Sequence, residues 1–120
     1  MKTIIITLLT AFTTLSCQST QDPKIKVLNT AEYKKEMGSD VVQLVDVRTA
    51  EEFNEGAIPG AINIDVTKGG FDLAIQKLDK SKAVFIYCRS GSRSEVAAKK
   101  MSSMGFTQII DLEGGYLAWN

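Results

Sequence analysis

Five short apolar runs, separated by helix-start signals, constrain this chain more than any other feature. They cover residues 25–28, 41–45, 61–64, 83–87 and 108–112. Most are rich in β-branched or aromatic residues and lack a clean polar alternation, as expected of strands buried on both faces of a parallel sheet. Helical segments fall between them. Asn29 with Glu32, and Thr49 with Glu52, have the spacing of capping boxes, and Gly38 and Gly56 stand where those helices should stop. A third helix should carry Phe71, Leu73, Ile75 and Leu78 after the Gly69-Gly70 break, and a fourth should run over 94–104 and stop at Gly105. Strand–helix alternation of this kind predicts an α/β domain with a mostly parallel sheet of about five strands between helical layers.

The N-terminus has a different character. Met1-Lys2-Thr3 is a short positive start, 4–15 is an apolar run with interspersed threonines, and small Ser16 precedes Cys17. That order predicts a secretory signal over 1–16. The run is too short for a membrane span, which needs about twenty apolar residues. Thr14-Leu15-Ser16-Cys17 resembles a bacterial lipobox, although Leu stands one place late. The resemblance implies lipid on Cys17, a membrane anchor and a place in the periplasm or cell envelope. Residues 17–24, polar and holding a proline, are expected to form a tether, which leaves 25–120 as one domain.

Composition removes several chemistries. The 120 residues include no histidine, so Ser–His and Cys–His pairs and histidine metal sites are excluded. The two cysteines, Cys17 and Cys88, form no zinc pattern, and neither a metal nor a cofactor is expected. Fourteen basic residues balance fourteen acidic ones, so no basic footprint for nucleic acid is present. Any reaction must use one nucleophile, carboxylates, arginines and backbone dipoles.

Cys88 is the candidate nucleophile. It ends the most strand-like run in the chain and opens Cys88-Arg-Ser-Gly-Ser-Arg93, with a helix following at once. In α/β sheets ligands collect beyond the C-terminal ends of strands. Loop amides there can form a nest for negative charge, and the helix N-terminus adds to it. Such surroundings lower a thiol pKa from about 8.5 without a histidine base. Gly91 supplies unusual backbone angles, and Ser90, Ser92 and Ser94 supply hydrogen bonds without bulk. Arg89 and Arg93 supply cationic contacts.

The loop resembles the active-site loop of single-domain rhodaneses, the thiosulfate sulfurtransferases. Two more stretches agree: Leu44-Val-Asp-Val-Arg-Thr-Ala-Glu-Glu-Phe53 with Gly56-Ala-Ile-Pro-Gly-Ala61, and Leu112-Glu-Gly-Gly-Tyr-Leu-Ala-Trp119. One departure is Ala57, where the family commonly has histidine. The resemblance implies the rhodanese fold, with Cys88 as nucleophile and persulfide carrier and residues 89–93 as the substrate cradle. It implies a sulfane-sulfur donor such as thiosulfate and a thiol or cyanide acceptor. Asp46 and Arg48 are expected to support the strand end through charge-assisted bonds and to take no part in the chemistry. Two other readings compete. A non-catalytic binding or redox-sensing module would keep the fold alone. A cysteine-dependent phosphatase would resemble this loop but with Cys-x5-Arg spacing, one residue longer than the Cys-x4-Arg found here.

Overall fold

The computed structural model of the protein describes residues 21–120. The expectations for the signal segment and for Cys17 lie outside them. Ten elements follow in order: β1 (Ile25–Leu28), α1 (Thr30–Met37), β2 (Gln43–Asp46), α2 (Ala50–Glu55), β3 (Ile62–Asn63), α3 (Phe71–Ile75), β4 (Val84–Tyr87), α4 (Ser92–Ser103), β5 (Ile109–Leu112) and α5 (Gly115–Trp119). The strands form one fully parallel sheet in the order β1-β5-β4-β2-β3. This is the α/β sheet flanked by helices that the alternation predicts.

β4 lies at the centre, and all four of its residues are buried. Its alternation divides the core. Val84, Ile86 and then Cys88 face the layer holding α3 and α4, with Phe71, Ile75, Met101 and Phe106. Phe85 and Tyr87 face the opposite layer, with Tyr33 of α1 and Tyr116 and Trp119 of α5. Burying Val84, Phe85 or Ile86 contributes about 1.5–3 kcal/mol each, so this strand is the best-anchored element from which to hang a reactive loop.

Both expected helix caps form. The Asn29 side chain accepts from the Glu32 amide, and Thr49 and Glu52 make a complete reciprocal box. The edges of the elements differ most from expectation in four places. β2 starts at Gln43, two residues late, and Val41 is fully exposed. Gln43 binds the Asp79 carbonyl at 2.9 Å and the Asp79 amide at 2.6 Å, tying the strand start to the turn before β4. β3 has only two residues, and α3 ends before Leu78. α4 begins at Ser92, two residues early, because Gly91 takes a left-handed conformation (φ +117°) and turns the chain straight into the helix. The end of the expected tether is fastened: Asp22 accepts from the Ser102 hydroxyl and from the Lys24 amide.

Candidate active site

The chain leaving β2 crosses to the α1/α5 side, where Ile58 packs, whereas the chain leaving β4 turns into α4 on the other side. The chains leaving these adjacent strands therefore diverge, which is the usual ligand position in an open α/β sheet. The amide of Val47 donates to the Tyr87 carbonyl at 3.0 Å and pins the two ends together. Cys88 is the next residue.

The Cys88 side chain continues the β4 alternation and points toward α4. It is 1% exposed and makes no disulfide among the described residues. The Gly91 amide donates to Sγ at 3.0 Å. The thiol lies 3.4 Å from the Ser94 hydroxyl oxygen, to which it donates, and that hydroxyl donates to the Gly91 carbonyl at 3.2 Å. Burial pushes the thiol pKa up. The Ser94 hydroxyl and the amides of Ser94, Gly91 and Ser90 oppose this and prevail, leaving Cys88 below the usual thiol range. At the sulfur, the geometry of the loop consists of the Gly91 amide as donor and the Ser94 hydroxyl beside it.

The loop is held from behind by the Gly114-Gly115 turn. The Tyr116 amide donates to the Cys88 carbonyl at 2.8 Å, and the Leu117 amide donates to the Arg89 carbonyl at 3.1 Å. A β-carbon at Gly115 would lie 2.5 Å from both carbonyl oxygens, and its φ is +62°. Only glycine allows α5 to start this close to the loop. This explains a requirement for the closing Leu-Glu-Gly-Gly-Tyr stretch that cannot be inferred from the stretch itself.

Asp46 and Arg48 act as the expected brace. Arg48 Nε donates to both Asp46 oxygens at 3.0 Å, Nη2 donates to Oδ2 at 2.7 Å and to the Gly56 carbonyl at 2.6 Å, and the guanidinium lies 4.4 Å from the Tyr116 ring centre. The pair fixes the 46–56 segment against α5, and so reaches the loop only indirectly.

The two loop arginines separate in role. Arg93, at the end of the cradle, makes a two-pronged pair with Glu52 on α2, at 2.6 and 3.0 Å. That bond holds the Glu52 carboxyl down at about 2. Arg93 ties α4 to α2, a contact across 41 positions that the capping role of Glu52 did not signal. Arg89 is exposed, and among the described residues it makes no ion pair. With Arg48, Glu55 and Leu117 it lines a cleft of about 240 Å³. Ser90, Gly91 and Ser92 border a larger groove on the other side of the loop. Ser94 proves to be the hydroxyl at the sulfur, while Ser92 is exposed. Among the described residues no cluster of side chains suited to a metal ion is present.

A buried cysteine in a backbone-amide nest at the end of a central parallel strand defines a thiolate-stabilising α/β domain. Residues 29–120 match the family model described as the rhodanese-like domain. YtwF of Bacillus subtilis is 38% identical over 97 residues, covering 80% of this chain and 91% of that one. A sulfurtransferase of Allochromatium vinosum is 36% identical over 78 residues, covering 65% and 71%. The crystal structure of a rhodanese-like domain protein from Staphylococcus aureus superposes with a TM-score of 0.71 at 32% identity, covering 79% of this chain and 91% of that one. The chain belongs to the rhodanese-like family, and at family level it is a rhodanese-type sulfurtransferase relative.

Proposed function

We propose that the protein transfers sulfane sulfur through a persulfide on Cys88. The single observation that carries this reading is the sulfur's setting: buried, accepting from the Gly91 amide, beside Ser94, and held below the usual thiol range. The Cys88 thiolate attacks the outer sulfur of thiosulfate, a new S–S bond forms, the old S–S bond breaks, and sulfite leaves with the bonding pair. The terminal sulfur of the resulting persulfide carries the negative charge, which the loop amides and the α4 N-terminus are placed to stabilise. A thiolate or cyanide acceptor then takes that sulfur as a persulfide or thiocyanate and regenerates the Cys88 thiolate. Arg89, exposed at the rim, steers the dianion. Residues 90–92 form the wall of the cradle. Arg93 contributes by holding that wall through Glu52. The same pairing argues against the phosphatase alternative, because the arginine that would have to grip a phosphoryl group is already spent on a carboxylate.

The order of residues 1–17 supports export with lipid on Cys17, hence an envelope location and a membrane anchor for the domain. One measurement tests both readings: the intact mass of the protein recovered from its native cell, after thiosulfate treatment and with or without reductant. A reducible gain of one sulfur on the Cys88 peptide, lost in Cys88→Ser with the fold intact, is the expected result, together with a lipid-sized mass on Cys17 as the first residue. Equal thiosulfate turnover by Cys88→Ser would end the persulfide reading. A mature chain that starts after Ser16 and carries no lipid would end the anchor reading alone.

A further inference from the structure

The groove on the far side of the loop has features that sulfur chemistry does not use. It encloses about 840 Å³ between α4, β1 and the ends of β5 and the loop. Asp111 of β5 lines it. Asp111 pairs in register with Val27 of β1 and shares the α4-facing side of the sheet with Ile109. Asp111 is 4% exposed, and its Oδ1 has no hydrogen-bond partner among the described residues. A buried polar atom left unpaired is costly and uncommon, so it points to a missing donor. Val27, by contrast, is 58% exposed and offers an apolar surface beside that carboxyl, with Ala98 of α4 lining the same groove.

The charges around the groove favour one sign of ligand. Glu95 and Lys99 line it from α4, Lys26 from β1, Asp22 from the turn before β1, and Glu113 from the chain after β5. Lys99 is paired with Glu95 at 3.2 Å, and Asp22 is bound to Ser102. Acids outnumber bases, so an anion such as thiosulfate is disfavoured here.

We propose that this groove binds a small organic cation, a primary ammonium or guanidinium on a short aliphatic stem. Its N–H groups donate to Asp111 Oδ1, and its stem lies along Val27 and Ala98. The ligand supplies a donor to the unpaired Oδ1 and a charge to compensate the buried carboxylate. Burial raises the Asp111 carboxyl to about 7; the Ser94 hydroxyl and Leu112 amide pull it only part of the way back, and Glu95 adds to the rise. Cation binding favours the ionised form, so affinity should grow as pH rises through that value. Alkylammonium ions stay protonated throughout, since amines of this kind titrate near 10. The other titratable neighbours are the Tyr33 hydroxyl, reached through the sheet from α1, and the Cys88 thiol at the end of β4. Cys88→Ser separates the Asp111 step from any contribution of the thiol.

The test is titration of the full chain with pentylamine and with agmatine, followed by calorimetry and amide NMR, with 1-pentanol as the neutral control. Saturable binding with shifts at Val27, Ala98 and Asp111 is expected. Pentylamine affinity should rise roughly tenfold from pH 6 to pH 8, as a carboxyl titrating near 7 goes from about a tenth to nine tenths ionised. Asp111→Asn should lose at least tenfold in affinity and all of the pH step, and Cys88→Ser should keep both. Equal binding of pentanol, full affinity in Asp111→Asn, or no saturation by either amine would overturn the proposal. Should Asp111→Asn fold poorly, the pentanol comparison and the pH step in the otherwise unaltered chain still decide. The readout is binding alone, so it stands or falls separately from sulfur transfer.

Discussion

Asp46 and Asp111 flank β4 at nearly the same height, paired in register with Tyr87 and with Ile86, and both are buried. Their surroundings are opposite. Asp46 receives the Arg48 backbone amide at 2.9 Å and both Nε and Nη2 of the same guanidinium. Asp111 has an oxygen that receives nothing among the described residues. The difference traces to the residue two positions on. Asp46-Val47-Arg48 places a cation where the chain turns off the strand, whereas Asp111-Leu112-Glu113 places a second acid. The first carboxylate is completed by its own strand end and belongs to the scaffold. The second is left open toward a groove.

Breaking the completed side should cost most. Arg48→Ala leaves the Asp46 carboxylate buried without its partner, frees the Gly56 carbonyl and removes the cation over Tyr116. Loss of one member of a buried pair costs about 3–5 kcal/mol. Urea unfolding should show a lower midpoint with little change in slope, the product of slope and shift matching that loss. A loss under about 1 kcal/mol would show that water replaces the guanidinium, since exposed ion pairs contribute about that much or less.

The open side should respond with the opposite sign. The Asp111 carboxyl titrates near 7 in the folded protein, against about 3.9 in an unfolded chain. Its folded pKa is raised, so the folded state is unburdened by this group below about pH 4 and loses stability progressively as pH rises to about 7. Asp111→Asn removes that loss. The variant should therefore gain on the unaltered protein across this window, by on the order of a few kcal/mol above pH 7. Urea midpoints at pH 4 and pH 8 check it, and a constant difference between the two proteins would contradict the assignment.

Local signals in the sequence translated well into structure, and long-range ones did not. The five strands, the two helix caps and the loop after β4 rest on periodicity and on neighbours three or four positions away, and all are present. The Asp46–Arg48 brace was also legible, because its partners lie two residues apart. Four features were not. The α4 start moved from Ser94 to Ser92 because the left-handed turn at Gly91 is completed by the backbone alone. The approach of Gly115 to the Cys88 and Arg89 carbonyls depends on where β5 delivers the chain. The lack of a partner for Asp111 Oδ1 among the described residues is a property of its whole surroundings, visible only once α4 and β1 are in place. The Arg93–Glu52 pair belongs to the same group. Thr49-x-x-Glu52 announces a cap, and nothing local indicates that the same carboxylate also receives an arginine from another helix.

That pair is the smallest and sharpest test of the contrast between completed and open acids. Glu52 and Arg93 are both part-exposed, so their coupling should be modest, about 0.5–1 kcal/mol in a double-mutant cycle of Glu52→Gln, Arg93→Gln and both. The sign with pH follows from the depressed carboxyl. Arg93 and the Thr49 cap hold Glu52 near 2, below the usual carboxylate value. Its stabilisation is therefore full above about pH 5 and is lost as pH falls toward 2. Sulfur-transfer kinetics should separate the two arginines. Arg89→Ala should lower kcat/KM for thiosulfate about tenfold, with less effect on a neutral sulfane donor, because its role is to meet a dianion. Arg93→Gln and Glu52→Gln should lower both donors alike and by similar factors, because each loosens the same wall of the loop. If Arg93→Gln instead affects thiosulfate alone and Glu52→Gln has no effect, Arg93 leaves its carboxylate during turnover and binds the donor itself, and the acid it leaves behind would then be transiently as open as Asp111.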